Sequence, residues 1–292
     1  MIPREVLQKI RRIQITTSRM VTDVFAGQYK SVFKGKGMEF QEVREYQPGD
    51  DIRCIDWNVT ARLGHPYVKK FVEERELSVM FLVDASLSTY FGTTEKLKSQ
   101  IAAEICSLLA FSAIKNNDKV GLLIFTDRIE KFVPPRKGLK HILRIIREVI
   151  YFKPQGRGTD IPIALEYLNK ICRRKSVAFI ISDFLGGDFK KALSIANKKH
   201  DIVAISVTDP REKQLAAAGV VEFADAETGE VFFIDTHDRR TQAQFNKRSS
   251  QILDKRKKTF ASIGVDNIDI ESSKPYVSEL VKFFRMREKR MI

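Results

Sequence analysis

The chain has 292 residues, 43% of them hydrophobic, and carries a formal net charge of +14. That length suits one large α/β domain with elaborations, or two small ones. No apolar run reaches the roughly 18 residues of a membrane helix, and the N-terminus, MIPREVLQKIRRI, has no signal-peptide core.

A cytoplasmic protein is the expectation. Cys54, Cys106 and Cys172 are few and widely spaced, with no zinc pattern and no disulfide framework. His65, His141, His200 and His237 lie far apart. The positive charge points to an acidic protein partner or simply a solvated surface. It is spread along the chain, with denser groups at Arg173–Lys175, Lys255–Lys258 and Arg285–Arg290. No zinc-finger, helix-turn-helix or RNA-recognition signature accompanies it, so nucleic acid is not the expected partner.

Taken in order, residues 4–25 read as an amphipathic basic helix, with Val6, Ile10, Ile13, Met20 and Val24 at helical spacing. From Gln28 to Arg75 the chain is punctuated by glycine and proline, with strands expected at Met38–Tyr46 and Tyr67–Glu74. Phe33 to Gly37, FKGKG, lacks the spacing and the Lys-Ser/Thr ending of a phosphate loop. Arg44, Asp50, Asp51, Arg53, Asp56, Trp57 and Arg62 form a dense polar block. It reads either as a network fixing irregular loops or as a partner-binding face.

Val79 to Val83 is an unbroken apolar run ending at Asp84, as in a strand buried on both faces of a parallel sheet. A helix is expected from Glu95 to Lys115, a strand over Val120–Phe125, and an edge strand from Ile129 that Pro134-Pro135 ends. Helices follow at Lys140–Tyr151 and Ile161–Cys172, separated by the loop Gly156–Asp160. Ser176–Ile181 and Ile202–Val207 are further buried strands, with a helix at Asp188–Lys199 between them. A β-hairpin is expected near 220–235, then a helix at Arg239–Ile263, a strand at Ile268–Ile270 and a helix at Tyr276–Arg287. Strands alternating with helices give an α/β class with a doubly wound, mainly parallel sheet. The expected organisation is an N-terminal helix and β-rich extension over 1–76, then the α/β domain over 77–292.

Three loops sit where ligands bind in such sheets, beyond the carboxyl ends of the strands. They carry Asp84, Ser86 and Ser88, then Thr159, then Asp183. Two carboxylates and three hydroxyls suit Mg²⁺, or another divalent cation such as Mn²⁺ or Ca²⁺. They do not suit zinc. Taken singly, each loop also reads as ordinary turn and helix capping, and Asp160 reads as the cap of the following helix.

The five residues together resemble the metal-ion-dependent adhesion site of von Willebrand factor A domains, over about Ser78 to Val207. GKGMEFQEVREYQPGDDIRCIDWNVTAR, VKKFVEERELSVMFLVDASLS and VTDPRE extend the likeness over almost the whole chain. They resemble a bacterial family of such proteins, domain of unknown function 58, whose genes commonly neighbour those of MoxR-type AAA+ ATPases. Many members also carry transmembrane helices and a further β domain, which this sequence does not show.

The resemblance implies Asp84 as the anchoring carboxylate and Ser86 and Ser88 as direct ligands. Thr159 and Asp183 would bind directly or through water. An acidic side chain from a partner would complete the shell. It further implies a non-enzymatic binding or adaptor role with the ATPase or one of its clients, in maturation or assembly of other proteins. Two other readings are a metal-assisted phosphohydrolase, which would need a nucleophile or general base at the metal, and a basic nucleic-acid-binding protein.

Overall fold

The computed structural model describes residues 29, 39–72, 77–224 and 230–291. The helix expected at 4–25 lies outside the described residues.

Two compact units are present, one over Phe33–Leu77 and a larger one that holds Ser78–Ile292. In the smaller unit, strands β1 (Glu39–Glu45) and β2 (Tyr67–Val72) pair antiparallel. Between them lie a short 3-10 turn and helix α1 (Trp57–Leu63). Asp56 caps α1 by accepting from the backbone amides of Asn58 and Val59, and Gly64 ends it in the left-handed conformation that glycine adopts without steric cost.

The larger unit is built on a six-stranded sheet. Its strands are β3 (Ser78–Asp84), β4 (Lys119–Phe125), β5 (Ile129–Arg136), β6 (Val177–Ser182), β7 (Asp201–Thr208) and β10 (Asp266–Glu271). The order across the sheet is β10-β7-β6-β3-β4-β5. All neighbours are parallel except β4 and β5. This is the class expected from the sequence. The apolar runs in β3, β4, β6 and β7 have the reason assigned to them, since both faces of the sheet are covered.

One layer packs Met80, Leu82, Leu123, Phe125, Ala178 and Ile180 against helices α4 (Ile161–Ile171) and α5 (Lys190–Lys199), and against Phe260 of α7 (Arg239–Ile263). Alternate residues of the strands face the opposite layer. There Phe81 stacks on Phe179 with ring centroids 5.6 Å apart. Helix α2 (Lys98–Lys115) is deeply buried, and α3 (Leu139–Tyr151) packs beside it. The hairpin of β8 (Val220–Ala224) and β9 (Val231–Asp235) forms as expected, and α8 (Tyr276–Met291) closes the chain.

Two expectations need correction. Pro134-Pro135 do not end β5, which continues to Arg136 with register shifts along its pairing to β4. An edge strand tolerates proline, because a missing N–H that would face outward breaks no ladder bond. The expected boundary at 76/77 also leaves out part of the α/β unit. Tyr29 is fully buried and its ring packs 5.9 Å from that of Phe284 in α8, so the core of this unit recruits chain from well before the boundary.

From β3 the chain builds outward through β4 and β5, then crosses back to β6 and builds the other way through β7 and β10. The reversal falls between β3 and β6. At such a point the loops leaving two adjacent strands diverge and open a crevice at the carboxyl edge. Asp84 ends β3, and Asp183 follows β6 directly.

Candidate metal centre and its charge network

Asp84 is buried, with 2% of its surface exposed. One carboxylate oxygen accepts from the Ser86 backbone amide at 2.9 Å, and the other from the Ser182 hydroxyl at 2.6 Å. Ser182 in turn accepts from the Phe184 amide at 3.0 Å, which ties the end of β3 to the chain leaving β6. Phe184 has a left-handed backbone, φ 55°, an uncommon conformation for a bulky residue. Its ring is held against Phe189 and Phe260, and the chain turns sharply just after Asp183.

A 3-10 turn over Leu87–Tyr90 follows Asp84. It draws the Ser86 and Ser88 hydroxyls to 3.0 Å from each other. The loop Gly156–Asp160 meets this turn, with the Leu87 amide donating to the Arg157 carbonyl at 3.1 Å. The same loop meets the Asp183 loop. A Cβ on Gly186 would lie 2.8 Å from the Thr159 carbonyl oxygen, so only glycine permits that approach. Asp160 caps α4 through the Ile163 amide, as expected. The loops bearing Asp84, Ser86, Ser88, Thr159 and Asp183 therefore meet at one place on the sheet edge. The Asp84 and Asp183 charges also interact there.

The ionic partners of Asp183 are absent from the sequence reading. Asp183 is 1% exposed, and its Oδ2 accepts from the Lys98 ammonium at 2.8 Å. Lys98, the first residue of α2, is also 1% exposed and donates a second, short bond to Glu212. The other Asp183 oxygen accepts from the Leu185 amide at 3.1 Å. Arg256 of α7 donates to the Asp183 carbonyl at 2.8 Å and pairs with Asp269.

Glu212 lies in α6 (Pro210–Lys213), inside the VTDPRE segment. It forms a capping box with Asp209, whose amide donates to Glu212 at 2.9 Å. Asp209 also accepts from the Thr93 amide and hydroxyl, from the Ser272 hydroxyl and from the Arg211 amide. It thereby fixes the loop that leads into Lys98.

Sequence signals for these residues were present. Lys98, Ile101 and Ile105 share one helical stripe, so a lysine stands among the apolar residues of α2. Arg256 likewise stands one turn from Phe260. Asp209 and Glu212 have capping-box spacing.

The electrostatics follow from burial. Burial and the nearby Asp183 charge push the Asp84 carboxyl up to about 6, against the pull of the Ser182 and Ser86 hydrogen bonds. Burial would lower Lys98, but Asp183 and Glu212 outweigh it and hold the ammonium above its ordinary value. Burial raises Glu212 in spite of Lys98. Asp183 and Glu212 thus share the buried Lys98 ammonium, and the buried Arg256 guanidinium acts on both. The Asp84 carboxylate with two adjacent hydroxyls is a donor set that suits a small hard cation. Among the described residues no group of three His, Cys, Asp or Glu side chains is arranged to hold a metal.

In the Phe33–Leu77 unit the polar block divides. Arg44 pairs with Asp50 at 2.6 Å, Asp51 and Asp56 cap helical turns, and Lys69 lies 3.3 Å from Asp56. Trp57, by contrast, is 67% exposed and Arg53 and Arg62 face solvent. No described helix is long and apolar enough to cross a membrane.

Among solved structures, the chain is similar to the conserved hypothetical protein BatB from Bacteroides thetaiotaomicron. That match has 14% identity and a TM-score of 0.49, and it covers 73% of this chain and 99% of that one. It is also similar to the SpRpn10 VWA domain, at 15% identity and a TM-score of 0.39, over 70% of this chain and 94% of that one. In sequence, the Mycobacterium tuberculosis protein named "Uncharacterized protein Rv1480" is 31% identical over 287 residues, 96% of this chain and 89% of that protein. YeaD of Bacillus subtilis is 23% identical over 59% of this chain and 41% of its own length. Residues 42–254 match the family described as protein of unknown function DUF58, a span that includes the polar block, Asp84, Lys98, Asp183 and Glu212. The chain belongs to the DUF58 family.

Proposed function

We propose that this protein is a metal-dependent protein-binding module, not an enzyme, and that Asp84, Ser86, Ser88, Thr159 and Asp183 form its metal site. Asp84, Ser86 and Ser88 would hold the ion, with Thr159 and Asp183 reached directly or through water. The ion supplies an electrophilic point at the crevice mouth, and a carboxylate from a partner completes its shell. The partner in this reading is a MoxR-type AAA+ ATPase or one of its clients, and the task is maturation or assembly of other proteins.

The observation that carries the reading is the raised Asp84 carboxyl beside two hydroxyls 3.0 Å apart, at the point where the strand order reverses. A buried carboxylate that lacks a counter-charge is costly, and a cation relieves that cost.

The test is the kinetics of binding to the purified ATPase, for wild type and Asp84→Ala, with Mg²⁺ or with chelator. A desolvated carboxylate–metal contact sets the dissociation rate, so chelation and Asp84→Ala should both accelerate dissociation at any ionic strength. Moderate salt should mainly slow association, because the net charge of +14 steers an acidic partner. Equal dissociation rates for the two proteins in Mg²⁺ would move the contact away from the metal face. The exposed Trp57 region would then be the next surface to mutate.

A further inference from the structure

Lys98 is where this site departs from a simple pair of carboxylates around an ion. An ammonium is buried at the crevice, 2.8 Å from one of the two acidic groups assigned to the metal. It has little freedom to leave. Glu212 grips it from the other side, and Glu212 is itself fixed by the Asp209 amide. Asp209 also anchors Thr93 and Ser272, so α6, the loop before α2 and the chain after β10 hold the lysine together.

Both oxygens of Asp183 already accept hydrogen bonds from the protein, one from Lys98 and one from Leu185. The carboxylate is neutralised and oriented by the chain's own cation.

We propose that Lys98, clamped by Glu212 of the VTDPRE segment, sets the affinity and the partner preference of the site by keeping Asp183 from ligating the ion directly. This rests on the metal-binding reading above and adds a control residue to it. An ion bound here has Asp84 as its one direct carboxylate from the chain and feels the repulsion of a fixed ammonium beyond Asp183. It is therefore held weakly and stays strongly electrophilic. An incoming carboxylate supplies what Lys98 withholds. The site selects an acidic side chain and disfavours neutral or basic ones. Lys98 is a positioning residue here, acting through Asp183.

The prediction has two opposite signs, which general damage to the fold cannot produce. Lys98→Met frees Asp183 and removes the repelling charge. Glu212→Gln keeps one acceptor oxygen, which can serve Lys98 in place of Oε1 while the bond to the Asp209 amide is lost, and it deletes a negative charge, leaving Lys98 to act on Asp183 alone. The probe is Mn²⁺, with free ion counted by electron paramagnetic resonance, with and without acetate as a carboxylate mimic. Circular dichroism confirms the fold of each variant.

Lys98→Met should bind Mn²⁺ at least about ten-fold more tightly than wild type, as expected for removal of a nearby like charge. Glu212→Gln should bind more weakly, and Lys98→Arg should stay near wild type. Acetate should tighten Mn²⁺ binding by wild type and lose that effect in Lys98→Met, where Asp183 takes the open place. If wild type binds Mn²⁺ and folded Lys98→Met binds equally or less tightly, the role given to Lys98 is wrong and the metal reading stands. If only Lys98→Met binds, the metal-dependent function fails for the natural protein while the control by Lys98 holds. If none binds, both fall. Should Lys98→Met fail to fold, the weakening in Glu212→Gln and the retention in Lys98→Arg decide. Unchanged affinity in Glu212→Gln overturns the proposal.

Discussion

Two sets of acidic groups occupy this molecule, and their neighbours differ in kind. In the Phe33–Leu77 unit, Asp50, Asp51 and Asp56 bond to groups close in sequence, as in the Asp50 contacts to Arg44 and Gln47. They shape turns and helix starts beside solvent. At the sheet edge, Asp84 and Asp183 are buried, and their main partners lie far along the chain. Lys98 is 85 residues from Asp183, and Ser182 is 98 residues from Asp84. The first set is spent on local structure. The second holds charge that local structure does not need, with Asp84 pushed upward and Asp50 drawn downward by the Arg44 hydrogen bond. Excess buried charge that the fold pays to assemble marks a site more reliably than charge density along the sequence.

The largest effect that sharpens this contrast is on stability. Lys98→Met in metal-free protein leaves buried Asp183 and half-buried Glu212 without the Lys98 ammonium. Such a loss typically costs about 3–5 kcal/mol, comparable to the roughly 3–5 kcal/mol expected for removing a buried aromatic with Phe81→Ala. Chemical denaturation would read both. Mg²⁺ should narrow the gap to wild type for the first and leave the gap for the second unchanged, because Phe81→Ala and wild type gain equally from the ion. Narrowing of both gaps to wild type, or of neither, would break the distinction between core and site.

The next effect is on pH dependence. In metal-free protein the folded Asp84 holds its proton up to about pH 6, against an ordinary value of 3.8. The folded state then binds protons more tightly than the unfolded state. The cost of ionising Asp84 is absent below about pH 4, grows as pH rises from there to 6, and is complete at pH 7. Asp84→Asn removes that cost. The variant should melt above wild type at pH 7, and the gap should close as pH falls toward 4. For Asp50 the sign is reversed. Its depressed carboxyl adds stability above its ordinary range, and that stability is lost on acidification. A gap for Asp84→Asn that widens on acidification would contradict the assignment.

The strands and their loops were legible because buried parallel strands are apolar along their whole length, and the residue that ends such a run stands out. Val79–Val83 ending at Asp84, and the run ending at Asp183, needed no partner information to find. Lys98 did, because a lysine on a helix usually extends its ammonium into solvent. Its burial depends on Glu212, 114 residues away. The 3-10 turn that brings Ser86 to Ser88 belongs to the same class of feature. The Asp-x-Ser-x-Ser spacing is visible in the sequence, but the 3.0 Å approach is a product of tertiary packing. Tyr29 shows the same limit for domain boundaries, since its partner Phe284 lies near the other end of the chain.

The smallest effect is expected in the Phe33–Leu77 unit. Asp50→Ala removes a surface ion pair, and Trp57→Ala removes a side chain that is 67% exposed. Exposed pairs and exposed side chains contribute little to stability. Both changes should shift the thermal midpoint far less than Lys98→Met does, and neither should alter divalent-ion binding. A shift as large as that for Lys98→Met would make this unit's polar block a buried network in its own right.

The most direct measurement of the central claim is calorimetric titration of Mg²⁺ into metal-free wild type and Asp84→Ala at pH 7. Wild type should show a single saturable site that disappears in the variant, with both proteins equally folded by circular dichroism. Equal binding isotherms for the two, or no saturable binding by wild type, would contradict it.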